Sequence, residues 1–251
     1  MSKNIEKTVL AIDTALGGVS VGIMATNGHI ASRMIETARQ QAAILVPTIQ
    51  EIVREAETDF ADIDLIVCSK GPGSFTGLRI GLATARTMAL ALEKPVIGLN
   101  TLDVMARHYN TPNNTPSPQA GGLNESGRAL LIVLETKRQD FYARYYDTDG
   151  SPLSEPLAAD AAEIIARAPV DDFNIGGDCL ERFREVSPCV ESREDKLTFL
   201  EEYKQPDPIL MAQYGLELNE EPGDQGTPHP LYLRGADVSQ PKTPPRKLAG
   251  V

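Results

Sequence analysis

A mostly apolar run, a glycine-rich turn and a long apolar stretch follow one another at residues 65–92, and this order restricts the fold more than any other part of the sequence. Leu65 to Ser69 is typical of a buried strand. Residues 71–77 (GPGSFTG) supply a turn, from which we predict a helix over about Phe75 to Leu92 and a strand at Pro95 to Leu99. Strand, helix and strand in this order indicate an α/β fold with a sheet covered by helices.

The N-terminal part predicts an antiparallel meander of three strands. These are Thr8–Ile12, Val19–Met24 and His29–Ile35. Asn27-Gly28 before the third strand is a strong signal for a type I′ hairpin turn.

A helix is predicted between the meander and residue 65, because apolar residues recur at three-and-four spacing from about Arg39 to Glu57. Pro47 is best tolerated in a first turn, which favours a regular helix beginning near Val46. Another helix is predicted from about Thr101 to Asn110, so the first part of the chain has the order βββαβαβα and a mixed sheet.

Residues 110–127 are rich in Asn, Pro, Ser and Gly, which predicts a flexible linker. We assign residues 1–109 to a first lobe and 128–235 to a second, smaller lobe with a late helix that packs back on the first. Residues 236–251 are assigned to a disordered tail that is basic and proline-rich. The elements predicted in the second lobe are strands at Ala129–Leu134, Phe141–Tyr146 and Phe173–Ile175, and helices at Ala159–Ala168 and Asp207–Leu218.

The charge is strongly asymmetric. The chain carries a net −11, of which residues 1–109 contribute −1 and residues 110–251 contribute −10. Phosphate contacts need clustered cations, so a chain this acidic is a poor stand-alone nucleic-acid binder. Any RNA is expected to be contacted mainly through another protein.

The composition predicts a cytoplasmic protein. No apolar run approaches the roughly 18–20 residues needed to cross a bilayer, and no signal peptide or membrane contact is expected. Cys68, Cys179 and Cys189 form no Cys-x-x-Cys pair, which fits a reducing compartment and indicates neither a zinc knuckle nor a redox motif.

Several segments resemble the TsaB family, also called YeaZ-like. They are residues 71–99 (GPGSFTGLRIGLATARTMALALEKPVIGL), residues 10–15 (LAIDTA), the stretch from Leu134 to Tyr145, and residues 230–234 (PLYLR). Together they cover most of the chain in the family's order.

The resemblance implies an actin-like, two-lobed α/β fold and a role in putting threonylcarbamoyl on a tRNA adenosine. Members of this family pair with a larger, TsaD-type catalytic paralogue and work with a TsaE-type ATPase subunit. They also form homodimers in isolation, through the same first-lobe surface. By this resemblance the chain itself is a non-catalytic subunit, and it contacts tRNA only through the complex.

The resemblance also bears on metal binding. In the catalytic paralogue, two histidines one helical turn apart hold an ion, and the corresponding positions here are Thr101 and Met105. Neither is a ligand for such a cation, so no metal site is predicted. His29, His108 and His229 are interpreted as surface or packing residues.

A nucleotide site has only weak support. Asp13 ends the first strand, and Gly71 and Gly73 precede a helix, where backbone N–H groups bind phosphate in other folds. The same glycines are explained better by a tight turn between strand and helix. No cofactor is expected to be required; weak ATP or ADP binding at Asp13, Gly71 and Gly73 stays open, with an adenosine site indicated faintly by residues 176–178 (GGD).

The strongest signal concerns an interface between subunits. The second helix has small residues every four positions and is apolar almost all round, so it must be covered on both sides. The first helix supplies an apolar strip beside it. We therefore predict a subunit contact made by Leu45, Ile49, Ile52, Val53, Gly77, Leu78, Gly81, Leu82, Ala85 and Ala89.

Two other functions remain as alternatives. One is an ATP-dependent small-molecule kinase of the actin-like fold, using Asp13 and the turn at residues 71–77 on phosphates. The other is a glycoprotease-like (M22) peptidase, although Ser74 and Thr76 lie in a turn with no histidine in the motif.

Overall fold

The computed structural model of the chain describes residues 5–37, 39–111, 124, 127–187, 196–220 and 226–234. The predicted tail at 236–251 and most of the predicted linker at 110–127 lie outside these residues. The elements up to residue 110 are β1 (Val9–Asp13), β2 (Gly18–Met24), β3 (Ile30–Glu36), α1 (Gln41–Glu55), β4 (Leu65–Gly71), α2 (Phe75–Leu92), β5 (Val96–Asn100) and α3 (Thr101–Asn110). Those that follow are β6 (Ala129–Glu135), β7 (Phe141–Tyr146), β8 (Leu157–Ala159), α4 (Ala161–Ala166), β9 (Phe173–Gly177), α5 (Leu180–Val186), β10 (Leu197–Phe199) and α6 (Pro208–Glu220).

The strands form two five-stranded sheets built on one plan. In the first, with the order β3-β2-β1-β4-β5, the strands β1, β2 and β3 are antiparallel, and β4 and β5 run parallel to β1. In the second, β6 takes the place of β1, with antiparallel β7 and β8 on one side and parallel β9 and β10 on the other. This duplication confirms the actin-like fold of two related α/β lobes.

Alternation along the central strand decides which helices cover each face of the first sheet. Leu10 and Ile12 point to a core shared with α1 and α2. Val9 and Ala11 point to the opposite face, where they meet Ile209 and its neighbours on α6. The last helix therefore completes the core of the first lobe, because an apolar strand is buried only when both faces of its sheet are covered.

Helix α3 lies between the two sheets. Val104 packs in the core beneath the first sheet, whereas Leu102 and Met105 pack against Leu130 and Ile132 of the second. Helices α4 and α5 cover the outer face of the second sheet. No helix of the described residues is long and apolar enough to span a bilayer.

Two local predictions near the N-terminus are wrong. The turn between β2 and β3 has three residues rather than two, because the Ala25 N–H donates to the His29 carbonyl at 2.9 Å and residues 26–28 lie between them. Gly28 has a left-handed φ of +88° and Asn27 does not, so the turn is not type I′. Helix α1 begins at Gln41, so Pro47 lies inside it. Because Ala43 and Pro47 are both exposed, water can replace the hydrogen bond that proline cannot make.

Tyr109 on α3 ties the middle layer to the second sheet. Its hydroxyl donates to the Glu201 carbonyl at 2.7 Å and accepts the Gly177 N–H at 2.8 Å. Tyr109→Phe leaves the buried N–H without its partner, so we expect the free energy of unfolding to fall by about 1–3 kcal/mol in urea denaturation. The matched change Tyr232→Phe removes a hydroxyl from a side chain that is 44% exposed and should cost less than about 0.5 kcal/mol. Equal losses would contradict the role given to the Tyr109 hydroxyl.

Candidate functional site

A cleft of about 900 Å³ lies between the lobes, at the edge where β1, β4 and β6 end. Its first-lobe wall is the loop at residues 15–17 and the start of α2 at residues 73–76 with Arg79. The second lobe contributes the turn at residues 135–138 and the start of α5, and residues 232–234 complete the rim. The cleft is therefore bounded by strand ends and helix starts from both lobes.

Asp13 lies beneath this cleft and does not line it. The residue is 1% exposed, and its Oδ1 accepts the Ala15 N–H at 3.2 Å. Its Oδ2 is buried without a hydrogen-bond partner among the described residues. Burial raises the pKa of Asp13 to about 6, and the neighbouring Ser69 hydroxyl and the backbone N–H groups lower it only in part.

The two glycines predicted to bind phosphate are explained by contacts within the chain. Gly71 has φ +110°, and a Cβ there would lie 2.7 Å from the Leu231 carbonyl oxygen. A Cβ on Gly73 would lie 2.5 Å from the Ala15 carbonyl oxygen, which also accepts the Ser74 N–H at 2.7 Å. Of the three residues predicted to hold nucleotide, only Gly73 lines the cleft, so the tight-turn interpretation accounts for both glycines.

The space beside the second-lobe glycines is likewise filled by side chains of the same chain. A Cβ on Gly176 would lie 2.5 Å from the Tyr109 ring, which fills the space where an adenosine was considered. Asp178 does line the cleft, and its Oδ1 accepts the Glu135 N–H at 2.8 Å. Burial raises the pKa of Asp178 to about 6.

The cleft contains cationic and aromatic side chains to which the sequence had assigned no role. Arg182 pairs with Glu135 at 2.5 Å, and Arg234 pairs with Asp140 across the rim. Phe75 and Tyr232 lie side by side with ring centroids 5.4 Å apart. Residues 230–234 were recognised as part of a family pattern, but that pattern gives no indication that they return to the start of α2.

The ten residues predicted to form the subunit contact face inward, and this choice of side chains is wrong. All are buried against their own sheet, and seven belong to the core that α1 and α2 share with it. Thr14 explains the small residues, because a Cβ on Gly77 would lie 1.9 Å from its carbonyl oxygen and one on Gly81 2.5 Å from its Oγ1. The residues concerned are Leu45, Ile49, Ile52, Val53, Gly77, Leu78, Gly81, Leu82, Ala85 and Ala89.

The outer face of the same two helices is nevertheless mostly apolar. On α1 it presents Ala43, Val46 and Pro47, and Val46 is 49% exposed. On α2 it presents the exposed or half-buried positions among residues 80–91, with Leu90 81% exposed. Helix α2 contains two arginines and no acidic residue. We call this surface, formed by Ala43, Val46, Pro47, Ile80, Ala83, Thr84, Thr87, Leu90 and Ala91, the outer helical face.

The positions predicted to lack metal ligands are part of the core. Thr101 and Met105 are fully buried at the start of α3, and His108 is buried with its ring 3.8 Å from that of Tyr203. Within the described residues, no three His, Cys, Asp or Glu side chains come together in a way that could hold a metal ion.

Sequence comparison connects the chain to tRNA-modification proteins. The family model described as TsaD, tRNA N6-adenosine threonylcarbamoyltransferase, matches residues 31–148. The chain is 37% identical over 142 residues to tRNA threonylcarbamoyladenosine biosynthesis protein TsaB of Escherichia coli, covering 56% of this chain and 55% of that protein. It is 38% identical over 140 residues to the protein of the same name from Buchnera aphidicola subsp. Baizongia pistaciae, covering 55% and 58%.

Structural comparison extends the similarity beyond the aligned segments. The structure of YeaZ from Pseudomonas aeruginosa superposes with a TM-score of 0.69 at 20% identity, covering 90% of this chain and 100% of that one. At that identity the superposition supports the fold alone. The sequence alignments span only about half the length of the curated relatives. The family motifs, the curated relatives and the duplicated fold agree, and the chain is similar to the TsaB (YeaZ-like) family.

Proposed function

We propose that this chain is a non-catalytic subunit of the cytoplasmic machinery that forms N6-threonylcarbamoyladenosine in tRNA, and that it docks a TsaD-type catalytic paralogue. The names of the Escherichia coli and Buchnera relatives support the pathway. We also propose that the chain works with a TsaE-type ATPase subunit and that it forms a homodimer when the paralogue is absent. The observation that carries the docking role is the outer helical face.

The outer helical face has the properties of a contact between proteins. Exposed branched side chains such as Val46 and Leu90 lie among alanines and threonines, so a second backbone can approach closely. Apolar patches of this kind on an otherwise highly charged surface mark interaction sites. The chain carries a net −11, yet α2 contributes only positive charge, which favours this helix over the rest of the surface for a contact with an acidic or neutral partner.

A structural role also agrees with the core around α3. By the resemblance, Thr101 and Met105 stand where the catalytic paralogue has its ion-binding imidazoles; both side chains are buried, and Met105 packs in an apolar cluster. The chemistry is therefore assigned to the paralogue, and this chain acts by holding that partner in a productive conformation.

Ala83→Arg on the outer helical face is expected to weaken co-purification with the TsaD-type paralogue by about tenfold or more, because it places a bulky, solvated charge at the centre of an apolar contact. Circular dichroism and the melting temperature should stay unchanged, since Ala83 is exposed. The measurement is quantitative pull-down of the tagged paralogue.

Ala162→Arg is the matched control, an exposed alanine on α4 at the far side of the second lobe. It should co-purify as the parent does. Undiminished binding of Ala83→Arg would refute the docking face. The pathway is tested separately by reconstituting threonylcarbamoylation of tRNA, where omission of this chain should abolish product and this chain alone should make none.

A further inference from the structure

The segment formed by residues 226–234, which we call the strap, runs over the first lobe to the mouth of the cleft. Pro228 packs against β5, where a Cβ on Gly98 would lie 2.5 Å from the Cβ of the proline. Further along, the Leu231 N–H donates to the Lys70 carbonyl of β4 at 2.6 Å. The strap is therefore fixed to the first sheet by backbone and apolar contacts.

Tyr232 extends this attachment to helix α2. Its ring lies beside that of Phe75, with the ring centroids 5.4 Å apart, and its hydroxyl accepts the Arg79 Nε–H at 3.4 Å. Phe75 and Arg79 both belong to the first five residues of α2. The end of the strap is therefore attached to the first lobe along its whole course.

Arg234 connects the strap to the second lobe. Its guanidinium pairs with Oδ2 of Asp140, which lies in the turn between β6 and β7. The other carboxylate oxygen, Oδ1, accepts the Thr136 hydroxyl at 2.8 Å, so Asp140 is oriented by its own lobe. The side chains of the pair are 32% exposed for Arg234 and 12% exposed for Asp140. A partly buried ion pair therefore joins the two lobes at the mouth of the cleft.

The lobes are also joined between the two sheets, by helix α3. Val104 packs in the core beneath the first sheet, while Leu102 and Met105 pack against the second sheet. The described residues that line the cleft come from other elements, which places α3 behind the cleft. Helix α3 is therefore in the position of an axis, and the pair of Arg234 and Asp140 lies at the open side.

From this arrangement we infer that the strap is a latch: the pair of Arg234 and Asp140 holds the two lobes together over the cleft, and breaking it lets them separate about α3. The physical reason is desolvation of a charge. Without the guanidinium, the nearly buried Asp140 carboxylate keeps only the Thr136 hydroxyl among the partners described above, and this is costly for an ionised group. Opening returns the carboxylate to water, so the population of the open form rises. The latch does not depend on the docking role.

Spin labels on the two lobes measure the opening. One label is attached to α2 through Thr76→Cys and the other to α5 through Glu185→Cys, and both positions are exposed. Cys189 is replaced by serine, whereas Cys68 and Cys179 are buried and should not react with the label. Double electron–electron resonance on the full chain then gives the distribution of distances between the lobes.

Arg234→Gln is expected to raise the ratio of open to closed molecules by about tenfold or more, which adds a second, longer distance to the distribution. Asp140→Asn should act in the same direction but less, because the arginine left behind is more exposed than the carboxylate. Arg182→Gln is the matched control. It breaks the pair with Glu135, which also borders the cleft but lies within the second lobe, so the distances should stay unchanged.

Hydrogen exchange distinguishes opening of the latch from detachment of the whole strap. In Arg234→Gln the Leu231 N–H should keep the protection it has in the parent, because its bond to Lys70 lies within the first lobe. Loss of that protection would contradict the latch. So would the parent's distance distribution in both Arg234→Gln and Asp140→Asn, or an equal shift in Arg182→Gln. Because the chain is measured alone, none of these outcomes bears on pairing with the paralogue.

Discussion

Gly77→Ala is expected to lower the free energy of unfolding by about 3 kcal/mol, although alanine is the better helix former by about 1 kcal/mol. The added Cβ would lie 1.9 Å from the Thr14 carbonyl oxygen, a backbone atom at the end of β1 that cannot move alone. The shift would also disturb the hydrogen bond from Thr14 Oγ1 to the Gly77 carbonyl, which is 2.6 Å long. Urea denaturation of the purified chain measures the loss.

Gly17→Ala is the matched control, because the atom nearest to its added Cβ is the Lys204 carbonyl oxygen at 3.9 Å. It should leave stability unchanged or raise it by about 0.5 kcal/mol, through a smaller entropy of the unfolded chain. Packing within the lobe and contact with a partner subunit are the two interpretations of Gly77, and they predict different stabilities for Gly77→Ala. If it served only to admit a partner subunit, Gly77→Ala would fold as stably as the parent and lose pairing alone.

Periodicity predicted the longer elements well. Helix α2 and strand β7 have the predicted bounds, because each combines a clear period with flanking turn residues. The elements that were missed are short: β8 and β10 have three residues each and α5 has seven. Such segments are fixed by neighbouring strands in the sheet and carry too few residues to show a period of their own.

The site was less predictable, because the decisive contacts join distant parts of the chain. Small residues every four positions correctly indicated a close backbone approach to α2, but they did not identify the approaching backbone, which is Thr14 of the same lobe. Phe75 and Tyr232 are 157 positions apart, and their contact arises from the path of residues 226–234 over β4. The small residues that the sequence offered as a subunit contact therefore pack within the lobe, and the exposed apolar positions of α2 lie on its other side.

Asp13→Asn is expected to stabilise the chain at pH 7.5 by about 3 kcal/mol, because Asp13 is ionised there at a cost that burial imposes. Its pKa is raised from 3.8 to about 6 in the folded state. Between these values the folded chain binds more protons than the unfolded one, so stability falls as pH rises from about 4 to 6 and then levels off. The Asn side chain does not titrate, so the stability of the variant should fall less than that of the parent between pH 5 and pH 7.5. Urea denaturation at these two pH values measures the difference.

Asp149→Asn is the control, because Asp149 is an exposed carboxylate whose pKa is lowered by the Ser151 hydroxyl. It should not stabilise the chain at pH 7.5. An Asp13→Asn variant with unchanged stability and unchanged pH dependence would mean that the buried Oδ2 is solvated or paired. If the variant is stabilised as expected, a carboxylate that weakens the fold is retained at the end of β1, beneath a cleft lined by both basic and acidic side chains. Stability then does not explain why an aspartate stands at this position.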